Sequence, residues 1–357
     1  MLTNPFEQLG VMKYIFVVRH ISPGGVEMAT LILVKELVAR GNEVEVWNLG
    51  EQSKTDLECW SSWVNVKKIS KVKLLLFKRS IVKGEVMVLV NNAASRYAPV
   101  KGVVSIIHGD PLYNFKCNKS LIGKLKELVK IKFSLGRRKV IFISKKLGDE
   151  IDGFIKCPVK HIPNPFEPAV IQAKANEPLT MSLPEDFILH VGRIAPEKRQ
   201  DLLLKTYIDN KALHHSTDLI FVGAEPKHDG PITCKLRKIL DQCDISHRVH
   251  FLGELKNPWN IMQKAKCLVL CSEFESMGYV LLEAMALKIP IVATEAVGPL
   301  EVLGEDFAGL VKEGEDLGLR IKDALNHPDK YIKELPSKYN KDEVVEEFEC
   351  FIESLSN

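Results

Sequence analysis

The segment Cys271–Thr294 constrains the fold of this chain more strongly than other stretches, because it contains a loop, a helix and a strand in close succession. A turn-prone stretch comes first, and Gly278 then opens a run of strong helix formers that Pro290 stops. The apolar residues after that proline are typical of a short strand buried in a parallel sheet. The segment therefore predicts an α/β protein built on parallel strands.

Two acids in this segment, Glu275 and Glu283, are separated by seven residues. Eight residues of helix rise about 12 Å and rotate the side chain by roughly 80°, so the two carboxylates can contact opposite ends of one elongated polar ligand. The helix N-terminus near Met277 and Gly278 attracts an anion through its N–H groups and its dipole. A nucleotide sugar fits this arrangement. A helix with one capping and one exposed glutamate is the alternative.

The stretch from Glu275 to Thr294 resembles the E-x7-E signature of the retaining glycosyltransferases of family 4, which have the GT-B fold. In that family the first glutamate, here Glu275, lies against the donor sugar, and the second, here Glu283, binds the ribose hydroxyls. The family usually has Glu-Gly-Phe-Gly before the helix, whereas this chain has Glu-Ser-Met-Gly. The resemblance implies an α/β fold with two Rossmann-like, doubly wound domains that face a cleft.

A second motif follows the strand predicted at Phe187–Val191, where Gly192 and Arg193 precede Lys198. Two cations near the carboxyl end of a strand can hold a diphosphate, the arginine as a bidentate fork and the lysine as a point charge. Two solvated surface cations are the simpler alternative. The residues resemble the family's G-R-x4-K motif, which implies that they bind the donor diphosphate. The glycine that usually follows the lysine is Arg199 here.

The first half of the chain opens as a βαβ unit, with a strand predicted at Lys13–Val18 and a turn before an amphipathic helix. The G-x-G-x-x-G spacing of a dinucleotide-binding loop is absent, so that interpretation has little support. The resemblance implies that Gly24 and Gly25 form a loop facing the donor phosphate and the acceptor. A plain tight turn is the alternative.

His108 follows a strand predicted at Gly102–Ile107. Open α/β sheets bind ligands at the carboxyl ends of their strands, so His108 is expected at a ligand-binding edge. A histidine in such a position can also be purely structural. The resemblance implies the functional role, because the family places a histidine after this strand, near the C6 hydroxyl of the donor sugar.

The charge of the chain is uneven, with 27 Lys+Arg against 15 Asp+Glu in residues 1–170 and 22 against 31 in the remainder. Within Asn118–Lys139, apolar residues recur at helical spacing among eight basic residues, with Glu127 as the single acid. Such a helix can bind an anionic membrane surface, to which Lys67–Lys83 would add. An ordinary domain helix with a solvated basic face is the alternative. Nucleic acid is not expected, since no aromatic residues for base stacking are interleaved with the charges.

At 357 residues the chain is long enough for two domains. We expect an acceptor-side domain in residues 1–170, a donor-binding domain in 171–340, and a last helix in 341–357 that packs back on the first domain. The polar segment Pro165–Asp186 is the predicted linker. Eight cysteines without a Cys-x2-Cys pair favour free thiols in a reducing cytoplasm. We find no export signal and no apolar run long enough to span a bilayer.

These features predict a retaining glycosyltransferase that moves a hexose-type sugar from a nucleoside diphosphate sugar, UDP rather than GDP, to a hydroxyl of a glycan or lipid-linked acceptor. The chain has no Asp-x-Asp motif, so cations rather than a metal would stabilise the leaving diphosphate, and no cofactor is expected. We expect a role in bacterial surface polysaccharide or lipopolysaccharide assembly, in the cytoplasm or at the inner face of the cell membrane. The alternatives are a GT-B hydrolase or phosphorylase, and a non-catalytic basic module that docks on membrane or nucleic acid.

Overall fold

The computed structural model describes residues 11–21, 24–50, 52–76, 84–93, 95, 97–98, 103–136, 138–155, 159–225 and 230–355. Parts of the predictions lie outside these ranges, namely residues 1–10, Ser22, Pro23, residues 77–83, Gly102, Arg137 and Cys157. The chain divides into two compact units, Met1–Phe166 with Ser337–Asn357, and Glu167–Pro336. Each boundary lies four residues before the one expected from the sequence.

The described part of the first unit contains a seven-stranded parallel sheet. Its elements in chain order are β1 (Lys13–Val18), α1 (Gly25–Ala39), β2 (Glu43–Asn48), α2 (Lys54–Ser61), β3 (Asn65–Lys68), α3 (Lys71–Leu76), β4 (Glu85–Val90), β5 (Val103–Ile107), α4 (Tyr113–Cys117), α5 (Leu121–Leu135), β6 (Lys139–Phe142), α6 (Lys145–Ile155) and β7 (Val159–His161). The strand order is β3-β2-β1-β4-β5-β6-β7, which is a doubly wound arrangement.

The described part of the second unit contains a six-stranded parallel sheet. Its elements are α7 (Pro168–Ala175), β8 (Phe187–Val191), α8 (Gln200–Asp209), α9 (Lys211–Ser216), β9 (Asp218–Val222), α10 (Pro231–Leu240), β10 (Val249–Phe251), α11 (Trp259–Met262), β11 (Cys267–Leu270), α12 (Tyr279–Ala286), β12 (Ile291–Thr294), α13 (Val297–Leu303), β13 (Leu310–Val311) and α14 (Leu317–Asn326). Four short 3-10 turns lie at Pro196–Lys198, Ser246–Arg248, Pro328–Tyr331 and Ser337–Tyr339 among the described residues. The strand order is β10-β9-β8-β11-β12-β13.

The central strands of both sheets are almost wholly apolar because helices cover both faces of each sheet. In β1, Tyr14 and Phe16 point to one face, where their ring centroids lie 6.0 and 6.5 Å from that of Phe348. Ile15 and Val17 point to the other face and belong to a core that includes residues of β4 and α3. The sequence bounds predicted for β1 and β8 match those of the structure.

The last helix, α15 (Lys341–Ser354), belongs to the first unit. Its buried side chains, Val344, Val345, Phe348 and Ile352, follow the helical spacing expected from the sequence. The Glu349 carboxylate accepts hydrogen bonds from Arg40 Nη1 at 2.9 Å and from Asn42 Nδ2 at 2.8 Å. The helix is therefore attached to the region between α1 and β2 by both apolar and polar contacts.

Strand order also determines where ligand-binding loops can lie. In the second unit the order reverses between β8 and β11, which are adjacent and paired through Cys267 with Ile188 and Leu268 with Leu189. The loops that follow these two strands leave the sheet side by side, and the crevice between them is the usual ligand site of an open α/β sheet. The topology therefore brings the two predicted motifs together at one edge.

Candidate active site

The loops after β8 and β11 contact each other through backbone and side chains. The backbone N–H of Glu273 donates to the carbonyl of Glu197 at 2.9 Å, and Cys271 Sγ donates to the carbonyl of Lys198 at 3.3 Å. Lys198 Nζ forms an ion pair with the carboxylate of Glu275, and both side chains are largely buried. The lysine of one motif and the first acid of the other therefore meet next to the start of α12.

Arg193 takes a different position from Lys198. Its side chain is 66% exposed, and its Nη2 lies 3.0 Å from the Glu197 carboxylate, four residues further along the chain. Each cation of the G-R-x4-K motif thus has a carboxylate partner in this structure. An anionic ligand at this edge would compete with those carboxylates for the two cations. The prediction that both cations bind a diphosphate stays a prediction.

A buried polar network, not expected from the sequence, supports the backbone of the first loop. His190 in β8 lies with Nδ1 2.9 Å from the Val269 carbonyl and Nε2 3.2 Å from Gln200 Nε2. Gln200 Nε2 also donates to the Arg193 carbonyl at 2.7 Å. Burial lowers the pKa of His190 to about 4, so the ring is neutral near pH 7 and can accept from Gln200. The network fixes the backbone that carries Arg193.

Arg199, which replaces the usual glycine of the motif, has a left-handed backbone with φ 50° and ψ 41°. A non-glycine residue pays about 1–2 kcal/mol for this conformation, which explains why the family prefers glycine here. Its side chain is 3.3 Å from Asp201 and 3.8 Å from Glu273. Arg199 therefore takes up a backbone conformation that glycine adopts at no steric cost.

The entrance to α12 depends on two glycines. Gly278 has φ 74°, and a Cβ there would lie 3.0 Å from Leu281 Cδ1 and 3.3 Å from Glu275 Cγ. Gly298 donates its backbone N–H to the Glu275 carbonyl at 2.6 Å, and a Cβ there would lie 2.7 Å from the backbone nitrogen of Met277. The second glycine lets α13 approach the loop closely enough to hold it from behind.

Two of the helices that start at this edge of the sheet, α10 and α12, have different N-termini. At α10, the Glu225 carboxylate accepts from the backbone N–H groups of Ile232 at 3.2 Å and Thr233 at 2.9 Å, so an anion already occupies this end. At α12, the residue before the helix is Gly278, which has no side chain to cap it. Of these two N-termini, that of α12 is therefore suited to an external anion.

Glu283 lies within α12, and it is partly exposed. Burial raises its pKa to about 7, an effect that the neighbouring Trp259 side chain partly opposes. Burial also raises the pKa of Tyr279 well above its ordinary value, with a further contribution from the charge of Glu283. Glu283 thus changes its charge near neutral pH, beside a tyrosine that stays protonated.

In the first unit, His108 follows β5 and is only 6% exposed. Burial lowers its pKa to about 4, while a hydrogen bond with Asn164 opposes that shift. The ring borders a cavity of about 20 Å³ lined mainly by apolar residues of α1, the sheet and α15. Among the described residues its Nδ1 has no hydrogen-bond partner, and the cavity has room for one water there. Contact with a donor sugar stays a prediction.

Gly24 and Gly25 lie where the chain enters α1, as the N-cap and the first residue of that helix. Gly24 has an extended backbone with φ 174°, a conformation open to any residue. Its carbonyl accepts from the Met28 N–H at 2.9 Å, which is the first bond of the helix. The backbone alone therefore does not require glycine at position 24, and the predicted approach of a ligand to this loop stays a prediction.

Within the described residues, no three His, Cys, Asp or Glu side chains are grouped as metal ligands would be. None of the helices in the described ranges combines the length and the hydropathy that a membrane span requires.

Comparison with known proteins identifies the class. Residues 173–341, which contain both motifs, match the family model for glycosyl transferases group 1. That part of the chain is therefore similar to the group 1 glycosyl transferases, a GT4-like family of transferase enzymes. The family resemblance seen in the sequence is confirmed at this level.

Curated relatives match this chain over only part of their own length. An uncharacterized glycosyltransferase of Methanocaldococcus jannaschii is 26% identical over 191 residues, which are 52% of this chain and 43% of that protein. The N-acetylgalactosamine-N,N'-diacetylbacillosaminyl-diphospho-undecaprenol 4-alpha-N-acetylgalactosaminyltransferase of Campylobacter jejuni is 29% identical over 159 residues, 44% of this chain and 40% of that protein. The matched segments thus span less than half of these relatives.

A solved structure agrees over nearly the whole chain. Anabaena HepE, crystallised with UDP and glucose, superposes with a TM-score of 0.75 at 17% identity, covering 96% of this chain and 100% of that one. At this identity the likeness shows the fold. The predicted α/β GT-B fold class is therefore confirmed, with two parallel sheets.

Proposed function

We propose that this chain is a retaining, metal-independent glycosyltransferase that moves a hexose-type sugar from a UDP-sugar to a hydroxyl of a glycan or lipid-linked acceptor. The observation that carries this proposal is the contact of Lys198 with Glu275 at the β8–β11 switch point, beside the uncapped N-terminus of α12. A cation, an acid and a helix N-terminus converge at the position where an α/β sheet usually binds its ligand. UDP is favoured over GDP because HepE, which shares the fold, was crystallised with UDP.

In the proposed complex, the donor diphosphate lies between Lys198 and the first N–H groups of α12, and Arg193 exchanges Glu197 for a phosphate oxygen. Glu275, released from Lys198, orients the sugar and stabilises the positive charge that develops on its ring. Glu283 accepts hydrogen bonds from the ribose hydroxyls. Lys198, Arg193 and the first N–H groups of α12 stabilise the negative charge that builds on the leaving diphosphate, without a metal ion or another cofactor.

The anomeric configuration is retained if the acceptor attacks the same face of the sugar from which the diphosphate departs. The bond between the anomeric carbon and the phosphate oxygen breaks, and the bond to the acceptor oxygen forms on the same side. The proton of the acceptor hydroxyl passes to the departing phosphate oxygen, so no dedicated protein base is required. His108, Gly24 and Gly25 are assigned to the sugar and acceptor side of this reaction.

The acceptor is proposed to be a lipid-linked glycan in surface polysaccharide or lipopolysaccharide assembly, at the cytoplasmic face of a membrane. The name of the Campylobacter relative describes transfer to a diphospho-undecaprenol-linked sugar, which supports a lipid-linked acceptor for this chain. The basic character of residues 1–170 also suits an anionic surface.

The proposal predicts which nucleotide sugars raise the melting temperature of the full chain. UDP-hexoses are expected to raise it more than GDP-hexoses at equal concentration, because a ligand that binds only the folded state stabilises it. The best stabiliser is then assayed for UDP release with and without lipid-linked glycan acceptors. UDP release is expected to depend on the acceptor, and an α-linked donor is expected to give an α-linked product. Equal release without acceptor would indicate a hydrolase, and no stabilisation by any nucleotide sugar would reject the donor site.

Donor affinity is expected to rise with pH through neutrality. The ionised Glu283 accepts from both ribose hydroxyls, and its pKa of about 7 means that it gains this charge near neutral pH. UDP-glucose has no group that titrates there, so its Kd should fall up to about tenfold from one pH unit below that pKa to one unit above. Calorimetric titration of wild type and Glu283→Gln checks this, because the variant should bind weakly and without pH dependence. If Glu283→Gln keeps the steep pH dependence of Kd, a group other than Glu283 causes it.

The same pKa predicts the sign of the stability change without ligand. The folded protein keeps a proton on Glu283 between the ordinary value of 4.5 and about 7, whereas the unfolded chain releases it. The contribution of Glu283 to stability is therefore greatest below that window and is lost as the pH rises through it.

A further inference from the structure

Helix α5 exposes a row of large apolar side chains that is continuous along one side. We define the α5 apolar surface by the following residues with their exposed fractions: Leu121 83%, Ile122 69%, Leu125 62%, Val129 61% and Phe133 63%. Only Ile131 and Leu135 of this helix are buried. The expectation of an ordinary domain helix, with its apolar face in the core, therefore does not describe α5.

The exposed residues occupy one continuous arc of the helix. At 100° per residue, the directions of Leu121, Leu125, Val129, Ile122 and Phe133 span about 120°, and the buried Leu135 and Ile131 lie outside that arc, about 40° and 80° beyond its Leu121 edge. The helix is well formed, since the Ser120 side chain caps it by accepting from the Gly123 N–H at 3.4 Å. A 15-residue helix thus presents a wide apolar strip outward.

The charges around the strip have one dominant sign. Lys126 and Lys130 border one side of the arc, and Lys132 lies within it, all three exposed. The single acid of the helix, Glu127, points away from the strip, where it pairs with Lys130. Arg138, counted with the basic residues in the sequence, is not part of this surface, because it is buried and donates to the carbonyls of Ser134, Ser95 and Ala98.

A second helix on the same side of the sheet has a similar character. Helix α3 packs its Leu74 into the core formed by one face of the first sheet and leaves Val72 and Leu75, with 64% and 52% exposure, outward. By strand register Phe142 of β6 lies on that same face, where Gly148 of α6 packs against it. Because α5 contacts α6, α3 and α5 cover the same face of the sheet.

These observations favour one occupant of the α5 apolar surface over two others. A second copy of the chain, related by a two-fold axis, would bring the lysines of the two helices together, which costs free energy. Nucleic acid would need aromatic residues for stacking, and Phe133 is the single aromatic residue of the strip. A wide apolar strip bordered by lysines matches the interface of an anionic lipid bilayer, which takes apolar side chains below its charged headgroups.

We propose that α5 docks the first unit on an anionic lipid surface, with the α5 apolar surface inserted among the acyl chains and Lys126, Lys130 and Lys132 at the headgroups. The docking is independent of the proposed transfer reaction, because none of these residues belongs to the donor site. It would place the acceptor-side unit next to a lipid-linked substrate.

The test is co-sedimentation of the full chain with vesicles of phosphatidylcholine alone and of an equimolar mixture with phosphatidylglycerol. Wild type is expected to bind the anionic vesicles and not the neutral ones, and to release them as salt is added. The double variant Leu125→Glu with Val129→Glu should lower binding at least about tenfold. Replacing Lys126 and Lys132 by Gln should lower it about fivefold for each lysine. All these side chains are exposed, so the melting temperature should not change.

Leu319→Glu is the matched control, because Leu319 is as exposed as Leu125, at 62%, and lies on α14 of the second unit. It should bind vesicles as wild type does. Stabilisation of every variant by UDP-hexose in the absence of lipid should equal that of wild type, which separates this inference from the proposed function. Equal binding to neutral vesicles, equal loss in Leu319→Glu, or a wild-type dimer in sedimentation velocity that the double variant dissolves would overturn the proposal.

Discussion

Replacing Lys198 by alanine is expected to lower kcat for sugar transfer about 10²–10³-fold, the usual cost of removing one group that stabilises transition-state charge. Lys198 is largely buried beside the N-terminus of α12, so its charge acts there with little screening by water. Rates of acceptor-dependent UDP release measure the effect. Lys205→Ala is the control, because Lys205 is an exposed lysine on the neighbouring α8, and it should leave kcat unchanged.

The ion pair with Glu275 allows a second role for Lys198, in which the lysine only holds the Glu275 carboxylate in place and neutralises its charge. The double variant Lys198→Ala with Glu275→Ala separates the two. If Lys198 merely neutralises Glu275, removing both should recover much of the rate lost in the single variant. If Lys198 binds the diphosphate and Glu275 orients the sugar, the double variant should be at least as slow as either single one. Wild-type turnover in Lys198→Ala or Glu275→Ala would reject both assignments.

Much of the fold followed from the sequence because its physical causes are local. Strands such as Lys13–Val18 are continuous apolar runs, and such runs are needed where helices cover both faces of a parallel sheet. The contact between the Gly192–Lys198 and Cys271–Gly278 loops is not local, yet it follows from strand order. Two βα units that diverge from a switch point must place their first loops side by side.

Other features depended on contacts that one sequence does not encode. The predicted linker Pro165–Asp186 contains α7, which packs in the second unit through the hydrogen bond from Gln172 Nε2 to the Ala286 carbonyl at 3.0 Å. A polar, proline-containing stretch looks like a linker, but Pro168 at the first turn is a helix-start signal that was available. The hydrogen bond between His190 and Gln200 was harder to predict, because its sequence signal is a histidine in an otherwise apolar strand.

Helix α5 shows what the spacing of apolar residues alone cannot predict. The spacing of its apolar residues predicts an amphipathic helix over Asn118–Lys139, and the structure has one at Leu121–Leu135. Periodicity does not reveal which side of the helix faces the sheet. The apolar arc turned out to be mostly exposed, because only Ile131 and Leu135 reach the core. Tertiary packing thus leaves the apolar arc of α5 on the surface of the protein, which the spacing of its residues alone did not predict.

Replacing Gly223 by alanine is expected to destabilise the second unit by about 3–5 kcal/mol, the sum of backbone strain and overpacking. Gly223 follows β9 with φ 130°, a conformation that L-residues rarely adopt. A Cβ there would overlap the carbonyl oxygen of Gly192 and lie 2.7 Å from its carbonyl carbon. Neither backbone can retreat, because Gly192 N–H donates to Val222 at 2.9 Å and Gly223 N–H donates to Gly253 at 2.7 Å.

Urea unfolding of a chain in which Trp47, Trp60 and Trp63 of the first unit are replaced by Phe, followed by the fluorescence of the remaining Trp259 in the second unit, measures this loss. The control is Gly253→Ala in the next loop of the same sheet edge. Gly253 also has a positive φ, 72°, but nothing lies within 4 Å of its missing Cβ, so this variant should pay only about 1 kcal/mol of backbone strain. If the two variants unfold at the same urea concentration, the close approach of Gly223 to Gly192 is not what holds the β8 and β9 loops together.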